Sequence, residues 1–188
     1  MKFLKLGLAS LAVSTALFAG TYNVDAGHTN AGFSVKHMMI TNTTGKFNDI
    51  SGSFEFDEKT KTLKSISGEI VTASINTSNE ERDEHLKAPE LFDAKQFPKI
   101  TFKSTKIEKN KVHGELTMKG VTKNVVLDLE TSDVITDPWG KQRTGFSLNG
   151  KIKRSDFGIS WNKALETGGV AVSDEVKLAI DMEGVLAN

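Results

Sequence analysis

Val112-His113-Gly114-Glu115-Leu116-Thr117-Met118-Lys119 sets Val112, Gly114, Leu116 and Met118 against His113, Glu115, Thr117 and Lys119. A period of two is the mark of a strand with one face buried and the other in water. The pattern returns on both sides of this stretch. Val125, Leu127 and Leu129 alternate, as do Phe146, Leu148, Gly150 and Ile152, and then Val176, Leu178, Ile180 and Met182; Phe33 with Val35, Phe54 with Phe56, and Ile100 with Phe102 add shorter apolar faces. Turn-forming residues separate the runs at Asp57 to Lys61, Asn110-Lys111, Lys119-Gly120 and Asp137-Pro138-Trp139-Gly140. About eight antiparallel strands joined by short turns predict an all-β meander closed into a barrel, which leaves no exposed edge.

Ser78 to Phe92 breaks the alternation. Ser78 and Glu81 have the spacing of a capping box, Glu80, Glu81 and Asp83 place negative charge in a first turn, and Pro89 stops the run. One short helix is expected here. Its few apolar residues, Leu86, Leu91 and Phe92, bunch at its end and suggest that it lies across a barrel opening.

The first residues form a different segment. Lys2 and Lys5 precede an apolar run from Leu6 to Phe18, which closes on the small residues Ala19-Gly20. That run is shorter than the roughly 20 residues a membrane-spanning helix needs, and it reads as a secretory signal cleaved near Ala19. Residues 1–19 are therefore expected to be removed and 20–188 to form one exported domain, periplasmic in a bacterium with two membranes.

Composition removes several function classes. Lys plus Arg equals Asp plus Glu at 24 each, so the chain has no cationic surplus for a nucleic-acid backbone. With no cysteine there is no disulfide, thiolate nucleophile or cysteine-held metal. His28, His37, His85 and His113 lack metal-ligand spacing, and no metal is expected; Asp25 and His28 are the first candidates if strands bring ligands together. No G-x-S-x-G elbow or phosphate loop is present, and Gly168-Gly169 reads as a turn. Eleven Phe against one Tyr suit a solid core or an apolar cavity, and the single Tyr argues against the aromatic girdles of an outer-membrane barrel.

Four stretches then carry a resemblance: Phe33-Ser34-Val35-Lys36-His37-Met38, Arg82-Asp83-Glu84-His85-Leu86, Phe92 with Phe97-Pro98-Lys99-Ile100-Thr101-Phe102, and Gly114 through Thr122. With Arg154-Ser155-Asp156-Phe157-Gly158-Ile159 behind them, the chain resembles the YceI-like polyisoprenoid-binding periplasmic proteins over its whole mature length. The resemblance implies a lipocalin-like eight-stranded antiparallel barrel holding a polyisoprenoid, an isoprenoid quinone or a fatty amide, with no cofactor and no established catalysis. It also implies transient contact with a membrane or membrane protein, and a homodimer.

On that fold, alternation assigns Phe33, Val35, Phe54, Phe56, Phe102, Leu116, Met118, Leu127, Phe146 and Leu148 to a pore running the barrel's length, with Gly114 and Gly150 leaving space. Phe92 and Phe97 are expected to close the mouth, and Arg82, His85 and Arg154 to form a polar rim for a head group, with a helix-to-strand salt bridge the alternative for Arg82. Two rival readings stand beside this one: an enzyme acting on a lipid or quinone through Arg82, His85 and Asp156, and a solid-core, stress-related binding module. If the export reading holds, intact mass of the exported protein places its first residue within one or two positions of Ala19; a mass retaining Met1 to Phe18 rejects it.

Overall fold

The computed structural model describes residues 19–166 and 168–187. The expected signal segment lies outside them apart from Ala19. Twelve β segments form eight staves, because four staves are bent. β1 (Gly20–Val24) and β2 (Asn30–His37) are arms of one strand bent at the 3-10 turn Ala26–His28, where Asp25 accepts from Gly27 N. β3 (Thr41–Phe47) and β4 (Ile50–Asp57) bend at Asn48-Asp49, β5 (Thr62–Val71) and β6 (Ile75–Asn76) at the turn Thr72–Ser74, and β9 (Val121–Thr131) is continued by β10 (Ile135–Thr136). β7 (Lys99–Glu108), β8 (Lys111–Met118), β11 (Gln142–Lys153) and β12 (Val172–Leu186) are unbroken.

Neighbouring staves pair antiparallel in chain order from first to last. β12 then returns to pair with both arms of the first stave, Leu186 opposite Tyr22 and Val176 opposite Val35. That return closes the eight-stranded barrel which the alternation predicted. The ends of the barrel differ. Gly20, Leu186 and the turns after β4, β7 and β10 gather at one end; the β2–β3 and β8–β9 turns, the helix and the segment from Arg154 to Ala171 gather at the other.

The helix α1 is Glu80–Leu86, shorter than the Ser78–Phe92 expected, and its cap is Asn79 rather than Ser78. Asn79 lies in the extended region and its side chain accepts from Arg82 N at 2.9 Å, whereas Ser78 has φ +61° and cannot supply cap geometry. Past Lys87 the chain leaves the helix before Pro89, whose ring disfavours helical backbone in Ala88. The turn expected at Asn110-Lys111 is Lys109-Asn110, with Lys111 already paired to Glu108.

Inward residues at the first end make a solid plug. Tyr22, Phe54, Phe56 and Val112 are 0–1% exposed. The Tyr22 ring stacks on Phe54 at 5.4 Å, and Phe54 meets the Phe146 ring edge-on at 5.0 Å. Gly184 permits this packing, since a Cβ there would lie 2.5 Å from the Phe54 ring and 3.0 Å from Tyr22 Cβ. Tyr22 Oη donates to Glu58, and burial pushes the phenol up to about 12.

Phe54 is the centre of this plug, so Phe54→Ala should cost about 3–5 kcal/mol by the usual scale for deleting a buried ring. Urea unfolding measures it; a loss below about 1 kcal/mol would mean that the plug is not close-packed.

Candidate functional site

At the helix end the inward side chains do not fill the barrel. They enclose a cavity of about 430 Å³, within the roughly 300–1,000 Å³ of small-molecule pockets. Phe33 and Val35 from β2, Phe47 from β3, Met118 from β8, Ile152 from β11, and Val176 and Leu178 from β12 form its walls. Phe33, Val35 and Phe47 are only half-buried although they face inward, because their free surface faces the cavity. The Phe33 ring lies over Gly45, where a Cβ would stand 2.5 Å from Cζ, and the chain of rings continues from Phe33 to Phe47 at 5.8 Å and to Phe92 at 6.0 Å. Leu86, Leu91, Phe92, Ile159 and Trp161 complete its lining.

The expected lining therefore divides by height in the barrel. Phe33, Val35, Phe92 and Met118 line the cavity. Phe54, Phe56, Leu127, Phe146 and Leu148 do not: they belong to the plug, 0–3% exposed, and the pore expected to run the barrel's length is a blind pocket. Phe102 and Leu116 face inward as a cross-strand pair but lie outside the lining, Phe102 against the plug and Leu116 against a separate group of packed side chains that includes Leu91, Ile100 and Phe157. Gly114 leaves no room for a ligand because the Phe102 ring fills its place, and Leu127 Cδ2 does the same at Gly150. Phe97 does not close the mouth. Its ring packs on Gly120 of the β8–β9 turn, while its carbonyl accepts from Thr72 Oγ1 at 2.8 Å, and Leu91 takes the closing position beside Phe92.

All three residues of the expected polar rim touch the cavity. Arg154 is 7% exposed and donates to the carbonyls of Ser173, Ile159, Trp161 and Val172 at 2.8–3.4 Å. Those bonds use four of a guanidinium's five N–H groups. Burial lowers its pKa, although the nearby Asp174 carboxylate opposes the shift. Its geometry is that of a clamp, holding the 159–161 segment against the start of β12. Arg82 makes no salt bridge among the described residues; it donates from Nε to Thr77 Oγ1 and from Nη2 to Thr77 O, both at 2.8 Å, while Thr77 donates from N and Oγ1 to Asp83. His85 pairs with Glu90 at 3.3 Å and meets the Trp161 ring edge-on at 5.0 Å. Sequence reasoning did not assign His37, Trp161 or Lys163 to the site. The last two lie in a stretch without periodicity, and no local signal marks them.

Asp156 is exposed on the 3-10 turn Arg154–Phe157 and does not line the cavity that Arg82 and His85 touch. The metal candidates Asp25 and His28 do come together, with Glu183, at the plugged end. A cation already sits among these acids. Arg143 Nη1 donates to Asp25 and Glu183, and Nε to Asp137, each at 2.7 Å. The guanidinium, aided by His28, holds the Asp25 carboxyl well below its usual value, at about 2. The cluster ties the bend of the first stave to the β10–β11 turn and to β12.

Comparison with known proteins places these features in a wider group. A YceI-like domain model matches residues 22–184. A UPF0312 protein of Staphylococcus aureus is 37% identical over 163 residues, covering 86% of this chain and 95% of its own. The crystal structure of a Campylobacter jejuni YceI protein is 39% identical, covers 81% of this chain and 90% of its own, and superposes with a TM-score of 0.69. A polyisoprenoid binding domain from Saccharophagus degradans, implicated in plant cell wall breakdown, has a TM-score of 0.68 at 16% identity over 90% of this chain and all of its own, a likeness of fold alone.

The Arg143 cluster makes a pH prediction. Asp25 is depressed in the folded state, so its contribution to stability is complete above about pH 4 and is lost as pH falls through about 2. Arg143→Gln should lower Tm at neutral pH, and the gap from the parent protein should narrow as pH drops from about 4 towards 2. Thermal unfolding across that range checks it; a gap independent of pH rejects the assignment.

Proposed function

This chain belongs to the YceI-like family, and on that premise we propose that it is a periplasmic carrier or scavenger of one long-chain amphiphile, and not an enzyme. The supporting observation is the hollow half of the barrel: an apolar pocket open at one end and backed by a solid aromatic plug. A tail segment of about ten methylenes buried there is worth roughly 8 kcal/mol at about 0.8 kcal/mol each, enough for micromolar affinity before ordering costs. The head group stays at the mouth.

No Asp or Glu is among the lining residues, whereas Arg82, Arg154 and Lys163 contribute positive charge and His37 and His85 offer ring nitrogens. This set disfavours a cationic head and suits a neutral or anionic one, with polyisoprenoids, isoprenoid quinones and fatty amides as the tail classes. The polyisoprenoid-binding domain of Saccharophagus degradans has the same fold, which agrees with the reading. The enzyme alternative lacks an inward acid–base pair, since Asp156 stands apart from Arg82 and His85. A solid-core module fits only the plugged half.

Native mass spectrometry of protein purified from its own periplasm, followed by organic extraction, tests the proposal. One long-chain amphiphile per binding site is expected. Val35→Trp, which puts an indole into the cavity from a half-buried wall position, should abolish retention while the protein still unfolds cooperatively. Protein that comes out empty and takes up no added isoprenoid quinone, or full retention by the folded Trp variant, overturns it.

A further inference from the structure

The β2–β3 hairpin turns at the cavity mouth with a sequence that a tight turn does not favour. Ile40 N donates to His37 O at 2.9 Å, and both central residues, Met38 and Met39, have positive φ, +48° and +60°. Positive φ at both centres is the type I′ pattern, which Asn-Gly or Gly-Gly fills without strain. For a non-glycine residue without a local polar side chain the left-handed region is costly at each position. The tip also exposes its apolar side chains: Met38 is 43% exposed, Met39 57% and Ile40 76%. Val170 stands at the same end at 36%, in the segment whose Ala171 carbonyl receives Met38 N and whose Gly169 approaches Met39. Strain and exposed apolar surface are thus combined in three consecutive residues, and neither helps the barrel to close.

We infer that Met38, Met39 and Ile40 are a membrane-docking tip that inserts into the headgroup region of an anionic bilayer and sets the cavity mouth against it. Met38 itself lines the cavity, so the inserted tip and the pocket are continuous. Lys36, two residues before the tip on β2, and Lys163, whose carbonyl accepts from Ala171 N, flank it and favour an anionic surface, whereas the acids of this end, Glu80, Glu81, Asp83, Glu84 and Glu90, lie on α1 and the turn after it. Flexible, unbranched methionines suit an irregular apolar medium. The plugged end is the competing surface, since Trp139 is 81% exposed and Ile135 59%. Asp137, Asp25 and Glu183 beside it are bonded to Arg143, and this end lies opposite the pocket mouth, so docking there would not bring the pocket to the bilayer. Docking gives the carrier reading its route for exchange with a membrane, but it is measured without cargo and stands or falls separately.

Sedimentation with vesicles of phosphatidylethanolamine and phosphatidylglycerol in equal parts tests the inference on the mature chain. Met38→Asn with Met39→Gly restores the favoured turn residues. This double variant should match or exceed the parent in Tm while losing roughly tenfold or more in vesicle partitioning, since burial of each methionine contributes to insertion. Trp139→Ser should partition like the parent. A parent that does not bind the vesicles, a double variant that binds equally well or is less stable, or loss of binding in Trp139→Ser each overturns the proposal. Failure here leaves the carrier reading in place, because that reading rests on cargo found by mass spectrometry.

Discussion

The packing of Tyr22, Phe54 and Phe146 at one end of the barrel is the constraint on which the remaining structure depends. An eight-stranded barrel has an interior that side chains can just fill, so a cavity in one half removes packing that the other half must supply. Here the plugged half contains the 5.4 Å stack of Tyr22 on Phe54, the edge-on Phe146 and glycines that let the rings approach the wall. The Arg143 cluster fastens that same end from outside, joining three separate segments through 2.7 Å contacts. With closure secured there, the helix end can keep Phe33, Val35 and Phe47 half-buried around an open space.

Alternation made the closed barrel legible. Once Val112 to Lys119 and its counterparts were read as half-buried strands, their number and short turns left few other architectures. The same signal could not locate the cavity, because a period of two says which side chains face inward and nothing about their height along the axis. Phe33 and Phe54 look alike in sequence, yet one borders a void and the other fills the plug. Distance from each end emerges only when β12, paired along its length with β11, sets the register of the whole sheet. The mouth residues Trp161 and Lys163 were illegible for another reason: they lie in an irregular segment whose course is fixed by Arg154.

Arg154 illustrates how a charged residue in a binding cavity can act through the backbone. A guanidinium buried at 7% exposure needs acceptors, and it finds four carbonyls on segments that would otherwise leave polar groups beside an apolar pocket. Arg82 is similarly occupied by Thr77, which in turn donates to Asp83. The sequence places both at a polar rim, with a salt bridge the alternative for Arg82, and carries no sign of this local demand from the backbone and Thr77. Their charge still contributes to the field of the mouth, but most of their directional bonding is spent on holding its shape, which leaves selectivity to the pocket's apolar walls and to the absence of carboxylates among its lining residues.

The two ends of one sheet are consequently built differently. The end without a cavity has stacked rings, an ion cluster and turns whose Asp57 and Asp137 side chains accept from the backbone N–H groups that follow them. The open end combines half-buried walls with a left-handed Met38-Met39 pair that a turn selected for folding alone would replace with Asn-Gly. Local rules are expected to fail where function opposes them. Met38 belongs both to this strained pair and to the pocket lining, while the barrel closes elsewhere, through the pairing of β12 with both arms of the first stave.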